Sequence, residues 1–203
     1  FESLNDTIFP QLVQNSTSKT LRIWVAGCST GEEAYSLAIS LHEFLLSRKH
    51  DIKVQIFASD ISERVITKAR AGAYALHDLE NVSETRLANY FTKREGTYHV
   101  NKVIREMCVF AVHNFIKDPP FARIDMVSCR NVLIYFDSFL QNKVLNMFHY
   151  ALKENGYLFL GKSESAVGAS HLFEAVAKHE KMYVKKFNPG KYALEASKTV
   201  FVQ

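Results

Sequence analysis

The chain has 203 residues, enough for one domain or one domain with a small appendage at about 150 residues each. It is 47% hydrophobic, 12% aromatic and 23% charged, which is the make-up of an ordinary packed globule and excludes disorder, collagen and coiled coil. A net charge of +4 suits an acidic partner but offers no concentrated basic stripe for nucleic acid, and Lys178, Lys181, Lys185, Lys186 and Lys191 read as a solvated edge. No apolar run approaches the roughly 18 residues of a membrane span, so no membrane insertion is expected. The chain opens abruptly at Phe1, not Met, with no charged-then-apolar leader to read as a secretory signal, which suggests a piece of a longer polypeptide; the cysteine usage predicts a cytoplasmic protein. Cys28, Cys108 and Cys129 form neither a CxxC pair nor a Cys/His array, so reduced thiols are expected and no metal site.

Taken in chain order, the pattern is strand, glycine turn, helix, strand. Leu21–Ala26 is a short bulky apolar run, followed by Gly27-Cys28-Ser29-Thr30-Gly31. Ala34, Leu37, Ala38, Leu41 and Leu45 then fall at helical spacing up to about Arg48. Lys53–Ala58 reads as a second strand and Ser62–Ala71 as a second helix, and two such units imply right-handed crossovers and a parallel sheet. Residues 73–106 read as a small inserted or appended element and not another βα repeat: 82–91 look helical, and strand-like pieces surround Tyr98–Val100 and Met107–Val112. Regularity returns with a buried strand over Ile124–Cys129 and a helix over Asp137–Leu152. A turn over Lys153–Gly156 leads to a strand over Tyr157–Leu160, and Lys181–Lys186 could pair beside it as a late antiparallel strand. Residues 188–203 read as tail or linker.

In an open α/β sheet, ligands bind at the carboxyl ends of the strands. The unusual polar residues fall at such ends: the glycine loop after the first strand, Asp60 after the second, Asn114 after Met107–Val112, and Arg130-Asn131 after Ile124–Cys129. The loop is neither GxGxxG nor GxxxxGK[ST], and Glu32 and Glu33 behind it would repel a pyrophosphate. Thr30-x-x-Glu33 also spells a capping box, which needs no ligand. Asp60 stands where a ribose diol is usually gripped, although Asp60 or Ser62 could equally cap the following helix. A glycine loop without phosphate chemistry beside an acidic ribose clamp points to a positively charged adenosine-type ligand, which S-adenosylmethionine fits better than NAD or ATP.

The blocks LRIWVAGCSTGEEAYSLAI, QIFASDISERVITKARAGAY, HNFIKDPPF, DMVSCRNVLIYFD and ENGYLFLGKSES resemble, in order over residues 1–187, the CheR-type chemotaxis receptor methyltransferases, above all those fused to other signalling modules. The resemblance implies an α/β fold: a doubly wound, seven-stranded, Rossmann-like S-adenosylmethionine-dependent methyltransferase sheet, with a small β-subdomain inserted at about 85–110. It implies a protein-glutamate O-methyltransferase that forms methyl esters on the cytoplasmic helices of chemoreceptors, or on another acidic signalling protein, and releases S-adenosylhomocysteine. Carried over by position, Gly27 and Glu33 would contact the cofactor, Asp60 its ribose, and Asn114, Phe115, Arg130 and Asn131 its methionine and adenine region. Tyr135 would stand beside the transferring methyl. On other readings Arg130 is a surface ion pair, Tyr135 a core aromatic, Asn131 a turn residue, and Asn114 a cap before Pro119-Pro120.

The family pattern also includes an N-terminal helical domain, a Thr-x-Phe-Phe-Arg segment upstream, and a longer loop where this chain has FTKREGTYHV. The missing arginine segment keeps a second reading open, a module that binds S-adenosylmethionine or its product for signalling or docking without turnover, while the short loop bears on recognition of a receptor tail peptide and not on methyl transfer. An NAD-dependent oxidoreductase is a third reading, opposed by the glycine pattern and the Glu32-Glu33 pair.

Overall fold

The computed structural model describes residues 2–16 and 19–187, so the expected tail at 188–203 lies outside the described residues. Two short helices, α1 (Glu2–Thr7) and α2 (Phe9–Gln14), precede β1 (Thr20–Ala26), α3 (Glu32–Ser47), β2 (Lys53–Asp60) and α4 (Glu63–Ala71). Next come β3 (Ala73–Tyr74), α5 (Glu84–Tyr90), β4 (Phe91–Arg94), β5 (Thr97–Val100), α6 (Lys102–Arg105) and β6 (Cys108–Val112). The rest is β7 (Ile124–Cys129), a 3-10 turn at Leu133–Tyr135, α7 (Ser138–Ala151), β8 (Leu152–Leu160), β9 (Phe173–Ala177) and β10 (Met182–Lys185).

Seven strands make one sheet in the order β6-β2-β1-β7-β8-β10-β9. The β6-β2, β2-β1, β1-β7 and β7-β8 pairings are parallel, and β10 runs antiparallel to both of its neighbours. Alternation along β1 explains why both faces are covered. Leu21, Ile23 and Val25 join the apolar cluster built with α1 to α4, while Trp24 and Ala26 join the one built with α7. This is the doubly wound, seven-stranded α/β sheet the sequence implies. No helix among the described residues is long and apolar enough to cross a membrane.

Some boundaries differ from the sequence reading. The small antiparallel sheet is β3-β5-β4, so it begins at Ala73 and ends at Val100 instead of spanning 85–110. Residues from Cys108 onward belong to the main sheet, because β6 pairs with β2 from Ile56↔Cys108 to Asp60↔Val112. The expected turn at Lys153–Gly156 lies inside β8 as an irregularity: Asn155 takes φ 59°, and the register with β7 shifts between Ile124 and Met126. The edge strand β9 carried no signal read in the sequence.

The strand order also fixes the crevice. From β1 the chain winds outward through β2 to β6, then returns to lay β7 on the other side of β1. The order therefore reverses between β1 and β7, and the loops after β1, β2, β6 and β7 converge there.

Candidate functional site

The first wall of the crevice is the glycine loop. Gly27, Ser29 and Gly31 all take left-handed φ values, 77°, 47° and 97°. Gly27 also has no room for a side chain, since a Cβ there would lie 2.4 Å from a Val132 methyl carbon. The Gly27 and Cys28 N–H groups both donate to the Ser59 carbonyl, at 2.8 and 2.9 Å, which folds the loop back onto β2. Gly31 is the N-cap of α3 and no side chain caps that helix; Thr30 Oγ1 instead donates to Glu32 Oε1 at 2.6 Å. The capping-box alternative for Thr30 and Glu33 is therefore not what this loop forms, which leaves the Glu33 carboxylate to other partners.

Asp60 ends β2 and joins two loops. Its Oδ2 accepts the Ser29 N–H and its Oδ1 the Ser62 N–H, each at 3.0 Å. Ser62 is the N-cap of α4 but makes no side-chain cap bond, so the carboxylate of Asp60 holds that turn. A carboxylate has about four acceptor sites, and these two bonds leave capacity on both oxygens.

The far walls come from the loops after β6 and β7. Asn114 caps the turn that follows β6: its Oδ1 accepts the Ile116 N–H at 3.1 Å and its carbonyl those of Lys117 and Asp118. His113, beside it, bonds through Nε2 to the Pro119 carbonyl at 3.0 Å and packs against Trp24 and Phe121. Since a carbonyl only accepts, Nε2 carries the proton. Phe115 packs against Phe136 and Phe148. Asn131 is a turn residue with φ 60°, and Tyr135 is 79% exposed at the mouth, so it is not a core aromatic.

Gly27, Asp60, Asn114, Phe115, Asn131 and Tyr135, six of the eight expected site residues, line one cleft of about 370 Å³ together with Ile61 and Ser29. Glu33 and Arg130 do not line it. They meet at 3.6 Å behind it, with Glu33 Oε1 accepting the Ser128 hydroxyl at 2.6 Å and the Arg130 guanidinium 5.1 Å from the Phe159 ring centre. Burial pushes the Glu33 carboxyl above its ordinary range; the Ser128 hydrogen bond and Arg130 pull it down without cancelling that, and the Glu164 charge raises it further. Arg130 is thus part of a half-buried pair, not a surface one. Cys28 is buried, and its thiol is pushed up to about 12, first by burial and then by the Asp60 charge, so it is no nucleophile near neutral pH.

Sequence reasoning passed over two residues. Ile61, directly after Asp60, is 69% exposed and lines the cleft, although in the sequence it reads only as the residue before a helix. Glu164 lies in the quoted ENGYLFLGKSES block but drew no assignment. It is buried and accepts backbone N–H groups of the loop after β7. No spacing rule marks such a residue, because its partners are main-chain groups 31 to 33 positions away.

The family model described as CheR methyltransferase, SAM binding domain matches residues 1–182. A 104.1 kDa protein of Rhodobacter capsulatus is 39% identical over 189 residues, which cover 93% of this chain and 20% of that protein. A chemotaxis protein methyltransferase of Borreliella burgdorferi is 35% identical over 178 residues, 85% of this chain and 63% of that one. Chemotaxis protein methyltransferase 1 of Pseudomonas aeruginosa is 39% identical over 170 residues, 81% and 62% respectively. The chain thus spans less than two thirds of the length of each of these relatives.

Proposed function

The chain belongs to the CheR methyltransferase family and carries its S-adenosylmethionine-binding domain, and on that premise we propose that the cleft serves methyl transfer to glutamate side chains of chemoreceptor cytoplasmic helices, giving methyl esters. One observation carries the reading: the family match over residues 1–182 falls on a cleft at the switch point, with an acidic residue closing β2 inside it.

The donor set fits the cofactor. Asp60 keeps acceptor capacity for two ribose hydroxyls, and Ile61 and Phe115 offer apolar surface to a base. Gly27 lets backbone approach closely, and Glu33, paired with Arg130 and Ser128 behind the cleft, would favour the positive charge of the methionine part through its field instead of by lining the site. When bound, the sulfonium supplies an activated methyl group. The acceptor carboxylate is an anion near neutral pH and needs no base to prepare it. What this chain's residues contribute is therefore binding, orientation and exclusion of water; positioning of that kind is worth on the order of 7–11 kcal/mol. Tyr135, exposed and lining the cleft, would stand beside the transferring methyl. Residues 1–187 would form the methyltransferase core, in a cytoplasmic protein with further domains.

The test uses radiolabelled S-adenosylmethionine with a chemoreceptor cytoplasmic fragment, followed by base treatment. Label released as volatile methanol supports ester formation. Calorimetric binding without transferred label would leave a cofactor-binding module, and transfer of base-stable label would refute the ester.

A further inference from the structure

We infer that Glu164 is a positioning residue of the cofactor cleft, acting through the backbone by clamping the loop that carries Asn131 and Tyr135 onto the end of β8. This rests on reading the cleft as the S-adenosylmethionine site.

The carboxylate is 3% exposed and accepts four backbone N–H groups. Oε1 takes those of Val132 and Leu133 at 2.8 and 2.7 Å, and Oε2 takes those of Asn131 and Gly161 at 3.0 and 2.7 Å. A buried carboxylate is costly unless its hydrogen bonds are complete, so its presence calls for a reason. Three of the four donors are consecutive and lead into the 3-10 turn at Leu133–Tyr135, whose first N–H groups have no partner inside the turn. An apolar side chain at 164 would strand those amides in the interior.

The clamped segment is cleft wall. Asn131, Val132, Tyr135 and Phe136 all line the cavity, and the Val132 side chain packs directly against Gly27, leaving no room for a Cβ there. Glu164 grips the N–H groups from one side, while Gln141 Nε2 donates to the Leu133 and Phe136 carbonyls from the other, both at 3.0 Å. The spacing between the glycine loop and the Asn131 wall is therefore set by a residue that itself does not line the cleft.

Asp125 provides the matched control. It is also a buried carboxylate, 8% exposed, and it sits at the opposite end of β7, where it accepts the Arg22 N–H at 2.8 Å and the Lys153 ammonium at 2.7 Å. Amide hydrogen exchange on the ligand-free chain, together with calorimetry using S-adenosylhomocysteine, would compare wild type, Glu164→Gln and Asp125→Asn at a temperature where all are folded. In Glu164→Gln, exchange at residues 131–133 and 161 should quicken and affinity should fall about tenfold or more, because two amides then face a donor. Asp125→Asn should melt earlier yet keep the wild-type affinity and the wild-type exchange at those four amides. The inference is overturned if Glu164→Gln frees the amides but binds as tightly as wild type, or if Asp125→Asn weakens binding equally. Should Glu164→Gln fail to fold, Gly161→Ala replaces it. The added Cβ would lie 2.6 Å from Glu164 Oε2 and 3.0 Å from the Asn131 nitrogen, between the carboxylate and the segment it holds, so it wedges the clamp apart with the charge kept, and the same two readouts decide. A wild-type chain that binds no S-adenosylhomocysteine refutes the cofactor reading itself, before any variant is compared.

Discussion

Two carboxylates stand at opposite ends of β7 with a cation beside each, and the protein treats them differently. At the start of the strand, Asp125 takes the Lys153 ammonium at 2.7 Å and the Arg22 N–H at 2.8 Å. Beyond its end, Glu33 has the Ser128 hydroxyl and, at 3.6 Å, Arg130, and burial still holds its carboxyl above the ordinary range. The first arrangement is closed by the chain's own groups and serves stability. The second leaves an anion whose desolvation is not fully offset, behind a cleft wall where its field would favour a positively charged ligand. Left-handed residues occur at both ends, Ser29 and Asn131 near the cleft and Arg123 and Asn155 near Asp125, so it is the charge pairing and not the backbone that separates the two ends of the sheet.

The contrast breaks most visibly at Asp60. Asp60→Ala should lower affinity for S-adenosylhomocysteine by about 100-fold or more, because a charge-assisted grip on two hydroxyls is lost. The fold should survive at a modest loss of stability: the released Ser29 N–H lies at the exposed surface, where water replaces the carboxylate, while the Ser62 N–H at the start of α4 loses its cap. Unchanged affinity measured by calorimetry would end the ribose assignment.

Next in size is Glu33→Gln, where binding and stability should move in opposite directions. Affinity should fall by up to about tenfold at neutral pH, as a negative charge behind the methionine end of the cleft is lost. Because the folded chain raises the Glu33 pKa, ionisation there costs stability as pH climbs from the ordinary carboxylate range through the raised value, and none is lost below that range. The melting-temperature difference, variant minus wild type, should therefore grow with pH. A difference that shrinks with pH would mean that Arg130 and Ser128 outweigh burial. At the closed end, Asp125→Asn should cost about 1–3 kcal/mol of stability in a denaturant titration, with no change in affinity.

The end of the sheet that carries the cleft was the more legible in the sequence. Strand-then-helix periodicity gave the parallel core, and Gly27, Asp60, Asn114 and Asn131 stood out as polar or glycine residues closing apolar runs, which is where the topology brings them together. Two things were hidden. β9 pairs only through β10, a tertiary choice with no local pattern behind it. Glu164 contacts main-chain amides, and any residue supplies those, so nothing in the residue types around it marks the partnership. Glu33 lay between the two: its identity was conspicuous, but whether it would cap α3 or face Ser128 and Arg130 depended on Gly31 taking the cap position with φ 97°.

The smallest expected effect probes the open end without any ligand. Cys28 sits in the glycine loop, 2% exposed, with its thiol pushed up to about 12, chiefly by burial, then by the Asp60 charge and less by Glu33 and Glu32. At pH 8 such a thiol is ionised in about one molecule in ten thousand, so iodoacetamide should leave Cys28 unmodified in the folded chain for hours. Removing the Asp60 charge in Asp60→Asn weakens only the second cause. Labelling followed by mass spectrometry should therefore rise only modestly, since burial remains and the Asn side chain can still accept the Ser29 N–H. A rise as large as that produced by unfolding would mean that the charge of Asp60, and not the packing of Val132 against Gly27, keeps the loop shut. The open end would then owe its shape to electrostatics as much as its binding, and the contrast between the two ends of the sheet would have to be redrawn as one of packing at Asp125 against charge at Asp60.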